Sequence, residues 1–140
     1  MASSVTTRPL ELGDYDAVVA LWRSVEGVEL AEGDARADIA AYLERNPGLS
    51  RVACAEGRIV GALLCGHDGR RGVLYHLAVA AERRGRGVGR RLVDECLAGL
   101  RRSGLRRAII LVASDNPSGR AFWRSRGFDP IDAGAMGVDL

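Results

Sequence analysis

A chain of 140 residues, 47% hydrophobic and 27% charged, has the make-up of one globular domain (1–140) large enough to bury a core. No apolar run approaches the roughly 20 residues that a membrane helix requires. The opening "MASSVTTRPL" also lacks the apolar centre of a secretion signal, so a cytoplasmic protein without membrane contact is expected. The formal net charge is only +2, and all 20 basic residues are arginine. Abundant arginine without lysine, in a chain rich in Ala, Gly and Val, points to a coding bias, so no nucleic-acid partner is expected.

Charge is unevenly spread. Residues 1–50 carry nine acids and four arginines, whereas residues 83–107 carry nine arginines against Asp94 and Glu95. Such a division suits one cationic and one anionic ligand, although solvated faces also produce it. Cys54, Cys65 and Cys96 form no C-x-x-C pair and read as small buried hydrophobes, so no metal is expected.

In chain order, "SVTTRPLEL" predicts a short strand. Asp14 is a candidate N-cap for a helix through "YDAVVALWRSV", whose apolar face is Val18, Val19, Leu21, Trp22 and Val25. A loop, "GVELAEG", leads to a second helix over about 34–45, with Ile39, Ala40 and Leu43 inward and "NPG" as its stop. "RVACAEG" and "RIVGALLCG" predict a hairpin turning at Glu56–Gly57. A second turn at Asp68–Gly69 precedes "VLYHLAV", a continuous apolar run expected to be a buried central strand. Val88, Leu92, Val93, Cys96, Leu97 and Leu100 recur at helical spacing, which predicts an amphipathic helix ending near Gly104. "RAIILVAS" reads as a strand and "DNPSGRAFWRSRGF" as a short helix opened by a cap and a proline. "FDPIDAGAMGVDL" can supply two last strands. The predicted order is β-α-α-β-β-β-α-β-α-β-β, a mixed α/β fold with one central sheet flanked by helices.

The segment "ERRGRGVGRR" lies between the apolar strand and the amphipathic helix. A helix start offers unpaired N–H groups and the positive end of the dipole, both attractive to phosphate. Gly85, Gly87 and Gly89 let backbone approach an anion closely. A disordered arginine–glycine arm would have no periodic helix behind it. The spacing is R-x-x-G-x-G (Arg84, Gly87, Gly89), neither a Walker loop nor a dinucleotide fingerprint.

This spacing, with "LAV" five residues upstream, resembles the acetyl-CoA loop of the GNAT acyltransferase superfamily. The element order and the closing "NPSGRAFWRSRGF" are similar too. "GHDGRRGVLYHLAV" further resembles a small stand-alone bacterial subgroup, YpeA-like. The resemblance implies acetyl-CoA as co-substrate. Its pyrophosphate would be wrapped by Arg84, Gly85, Arg86, Gly87, Val88, Gly89 and Arg90, and its pantetheine arm would lie along Leu77, Ala78 and Val79. Asn116 would touch that arm, cap a helix, or do both. Trp22, Glu26 and Glu29 would border the acceptor, a primary amine of a small molecule, an amino-acid derivative or a peptide N-terminus. A homodimer is compatible with the resemblance.

Acyl transfer from a thioester to an amine needs proton removal from nitrogen, donors for the oxyanion and a proton for the leaving sulfur. The family commonly takes that last proton from a tyrosine seven residues after the closing Asn, and here Trp123 stands at that position. An indole N–H donates hydrogen bonds but does not ionise near neutral pH. On the apolar strand, Tyr75 is expected to face the site and His76 the opposite side, unless a β-bulge reverses the parity beyond it. The catalytic candidates are therefore Tyr75, His76 and Trp123. The missing tyrosine leaves an alternative open, an acyl-CoA-sensing module with little catalysis.

Overall fold

The computed structural model describes residues 4–113 and 116–140. Its strands are β1 (Thr6–Pro9), β2 (Arg51–Ala55), β3 (Arg58–His67), β4 (Gly72–Val79) and β5 (Ala108–Ile110), and its helices are α1 (Tyr15–Ser24), α2 (Arg36–Arg45), α3 (Val88–Arg102) and α4 (Pro117–Ser125). The five strands form one sheet in the order β1-β2-β3-β4-β5. Neighbours from β1 to β4 are antiparallel, and β4–β5 is parallel. A parallel neighbour needs a crossover, and α3 provides it.

The helices cover both faces. On one, Leu92, Val93, Cys96 and Leu100 of α3 and Trp123 of α4 pack on Leu63, Cys65 and Leu74. Close approach is possible because β3 carries Gly61, where a Cβ would lie 3.0 Å from Val88 and 3.1 Å from Leu92. On the other, Val18, Leu21 and Trp22 of α1 and Ile39 of α2 pack on Val52, Ala62, Leu64 and Ala78. The β2–β3 turn has Glu56 at φ 54° and Gly57 at φ 74°, as a tight hairpin demands.

Four expectations are corrected. β3, not β4, is the most enclosed strand, since β4 is only half covered beyond Leu74. Asp14 does not cap α1 with its side chain. A 3-10 turn over Leu12–Asp14 runs into that helix and leaves Asp14 at φ −85°, ψ −7°, outside the extended geometry a capping residue adopts. Its carboxylate instead accepts from both Arg8 guanidinium nitrogens, at 2.7 and 2.8 Å, and from the Glu11 N–H. The Arg8 bonds hold the Asp14 carboxyl below the usual range. β5 is three residues long, shorter than "RAIILVAS", whose Ser114 lies outside the described residues. The two last strands are not formed: 128–140 carries no strand, with Met136, Val138 and Leu140 exposed. Pro130, Gly134 and Gly137 break the alternation a strand needs.

Candidate active site

Two strands that begin together part company. β4 and β5 pair only at Gly72–Ala108, Val73–Ile109 and Leu74–Ile110. β5 stops there while β4 continues to Val79, so its edge from Tyr75 onward has no strand partner on that side among the described residues. The result is a notch in the sheet, flanked by backbone groups that have no strand partner on that side among the described residues and can pair with an extended chain. Half-buried Leu77 and Val79 turn toward the α3 side, and buried Ala78 turns toward α1.

β4 runs into a 3-10 turn, Ala81–Arg83, and then the glycine loop. Gly85 (φ 73°) and Gly87 (φ 81°) are left-handed, a region that favours glycine, and a Cβ on either would meet nothing within 4 Å. That open space is what backbone needs to meet an anion. Gly87 is the N-cap residue of α3, no side chain caps the helix, and its first turn contains no acid. The first intrahelical bond is donated by the Arg91 N–H to the Gly87 carbonyl, at 3.0 Å, so the N–H groups of Val88, Gly89 and Arg90 point out of the helix end. Arg84, Arg86 and Arg90 are exposed, and Arg84 Nε donates to the Val79 carbonyl at 3.3 Å. Two neighbouring arginines are engaged elsewhere: buried Arg83 lies 3.5 Å from Glu56, and Arg91 bonds Glu95 and the Val5 carbonyl. Uncapped helix, open glycines and free strand edge together fit a long phosphate-bearing thioester.

At the far wall stands α4. Asn116 is its N-cap, and its Oδ1 accepts from the Gly119 N–H at 3.1 Å. The α1–α2 loop touches it, for a Cβ on Gly27 (φ 90°) would lie 2.9 Å from Asn116 Nδ2. Glu26 and Glu29, both exposed, sit on this loop. Trp123 is buried on the α3 side, with Phe122 and Phe128 edge-on at 5.2 and 5.1 Å between centroids.

The β4 bulge is the decisive local feature. Ala62 pairs with Ala78 and Leu64 with Tyr75, two steps on β3 against three on β4. His76 adopts φ 57°, left-handed and rare for a residue with a side chain. Tyr75 and His76 therefore lie on the same face, as the bulge alternative predicts and simple alternation does not. Tyr75 meets Tyr42 edge-on at 6.5 Å, and His76 meets Trp22 at 5.0 Å. Tyr75 is exposed, while Trp22 is fully enclosed and so backs the site, with no surface to offer an acceptor. The His76 Nε2 lies 3.0 and 3.1 Å from the two carboxylate oxygens of Asp34. Burial raises the pKa of the nearby Tyr42 phenol, whose oxygen has no hydrogen-bond partner among the described residues.

Sequence reasoning missed three participants. Asp34 was one acid among nine, and its partner lies 42 residues away. Tyr42 and Gly27 likewise gave no local signal.

A sheet split at a parallel pair, with an uncapped helix start beside the split, suits an extended ligand that ends in phosphate. Over residues 15–128 the chain matches the family model described as the acetyltransferase (GNAT) family, and it belongs to that family. It is 30% identical over 127 residues to an acetyltransferase of Pectobacterium atrosepticum, covering 91% of this chain and 89% of that one. It is 33% identical over 103 residues to an acetyltransferase of Photorhabdus laumondii, covering 74% and 71%. Its fold is that of the PaiA N-acetyltransferase from Thermoplasma acidophilum, solved with coenzyme A. The TM-score is 0.79 at 17% identity, over 94% and 93% of the two chains.

Proposed function

We propose that this acyltransferase moves an acetyl group from acetyl-CoA to a primary amine of a small molecule, an amino-acid derivative or a peptide N-terminus. The observation that carries the reading is the notch after Leu74–Ile110 leading to the uncapped start of α3. In this reading the pantetheine arm pairs with the open β4 edge at Leu77–Val79, as an added strand would. Backbone amides from Arg84 to Arg90 surround the pyrophosphate, with the exposed arginines as counter-charge. Asn116 serves the arm through Nδ2 while its Oδ1 caps α4.

The acetyl group then sits beside Tyr75 and His76, the first β4 residues past the split. Tyr75 offers its phenol O–H to the departing sulfur, while Trp123, enclosed by two phenylalanines, shapes the wall. Glu26 and Glu29 favour a cationic acceptor approaching over the α1–α2 loop. The test is thiol release from acetyl-CoA by purified protein across a panel of small amines, amino-acid amides and peptides. Amine-dependent release with an acetylated product by mass spectrometry is the expected result. CoA binding without release for any amine would favour an acyl-CoA-sensing module.

A further inference from the structure

We propose that His76 is the general base of the transfer, acting through Nδ1, and that Asp34 is its positioning residue; this deepens the acyl-transfer reading and rests on it.

Four observations converge on the imidazole. The bulge turns His76 onto the same face as Tyr75, directly past the point where β4 and β5 separate. Its backbone is held at φ 57°, a conformation that persists only where the surroundings enforce it. Both oxygens of the Asp34 carboxylate face Nε2, and a carboxylate only accepts, so the proton of that contact is on Nε2. In the neutral imidazole Nδ1 then keeps its lone pair, and no described residue hydrogen-bonds to it.

Asp34 is itself fixed at four points. Its Oδ2 accepts from the Ala31 N–H at 2.9 Å, its own N–H donates to the Ala31 carbonyl at 3.2 Å, its carbonyl accepts from the Tyr15 hydroxyl at 2.7 Å, and its carboxylate meets His76. The side chains of His76 and Asp34 are 19% and 14% exposed, open enough to be reached and closed enough to stay oriented. A base oriented by a third group is the arrangement that acyl transfer uses on unrelated folds.

The proton balance follows. An ammonium acceptor gives one proton to Nδ1, and the neutral amine attacks the thioester carbonyl. The C–N bond forms, the C–S bond breaks, sulfur takes the Tyr75 phenol proton and a second nitrogen proton restores the phenol. Amide and thiol are released, and the imidazolium returns its proton to solvent.

Glycine adopts φ 57° freely, so His76→Gly removes the imidazole without opposing the backbone. The expected loss in kcat is on the order of 10²–10⁴-fold, with acetyl-CoA affinity unchanged and turnover partly restored by added imidazole. Asp34→Asn should lower kcat. It should also move the limb on which kcat rises with pH to lower pH, because the imidazolium loses a neighbouring negative charge. Besides Asp34, the titratable group facing His76 is Tyr75 from β4, at 6.4 Å between ring centroids, while α1 presents the non-titrating Trp22; Tyr42 of α2 packs on Tyr75. Phenols and carboxylates ordinarily titrate outside the neutral range.

Should His76→Gly melt early, His76→Asn carries the same kinetic test, since Asn also enters the left-handed region. A wild-type protein that transfers to no amine overturns the transfer reading and this dyad together. An active wild type beside a folded, equally active His76 variant overturns the dyad alone. So does a loss that imidazole leaves untouched together with an unmoved pH profile in Asp34→Asn, for then the pair merely pins the loop.

Discussion

Gly87→Val separates what the glycine loop does for the fold from what it does for a ligand. The residue sits at φ 81°, ψ 8°, as the N-cap of α3. A side chain there pays the left-handed penalty of about 1–2 kcal/mol, and its Cβ meets no atom within 4 Å, so no clash at that atom adds to it. For a chain of this length that is a fall in Tm of roughly 3–8 °C, and the protein stays folded. Binding should suffer more. An N–H bond to a charged group is worth roughly 1.5–3 kcal/mol, so displacing a single amide from the pyrophosphate weakens CoA by about 10- to 150-fold. Calorimetric titration with CoA, beside thermal melts of wild type, Gly87→Val and Gly87→Asn, resolves the two effects. The asparagine variant should melt near wild type, because Asn enters the left-handed region readily, yet still bind more weakly because its side chain fills the open space. A folded Gly87→Val with wild-type CoA affinity would refute the argument that backbone at this position meets phosphate.

Trp123→Tyr shortens a buried ring held between Phe122 and Phe128, so it should cost about 1–3 kcal/mol in denaturant melts. Turnover should be retained, since an indole N–H supplies no proton in the original; a folded but inactive variant would show that the indole itself is needed. Double reversal of Glu26 and Glu29 to Arg should raise the acceptor KM and leave CoA affinity alone, and better turnover of a carboxylate-rich acceptor would contradict it. Asp14 is held below its ordinary value of 3.8 by Arg8, so its ion pair contributes stability above that pH and loses it as pH falls through the lower folded value. Asp14→Asn should therefore be less stable than wild type at pH 6, with the gap narrowing as pH falls below about 3.8, as read from urea melts; a gap that does not narrow on acidification would contradict the assignment.

Much of the frame was legible in the sequence because it depends on near neighbours. The 3.6-residue stripe of Val88, Leu92, Val93, Cys96, Leu97 and Leu100 predicts α3, and the structure buries all of them but half-buried Leu97. Asn116–Pro117 opens α4 and Gly127 follows its end at φ 93°, as the cap and stop signals require. Glu56–Gly57 turns the hairpin. R-x-x-G-x-G carried the family because loop geometry, glycine freedom and helix start are all encoded within ten residues.

What tertiary structure decided is where strands stop pairing and which distant side chains meet. Nothing in "RAIILVAS" announces that β5 pairs for only three residues, since pairing length depends on the partner's path and not on propensity. Strict alternation puts Tyr75 and His76 on opposite faces. One extra residue in β4, set against β3, brings them together, and that count exists only in the pairing of two strands. Asp34 and His76 are 42 residues apart, in a loop and a strand that become neighbours only when α1 and α2 fold onto the sheet. Sequence determined the elements and the phosphate loop because those are local chemistry. The proposed base and its orienting carboxylate are long-range coincidences of the packed chain, and a single sequence carries no local mark of them.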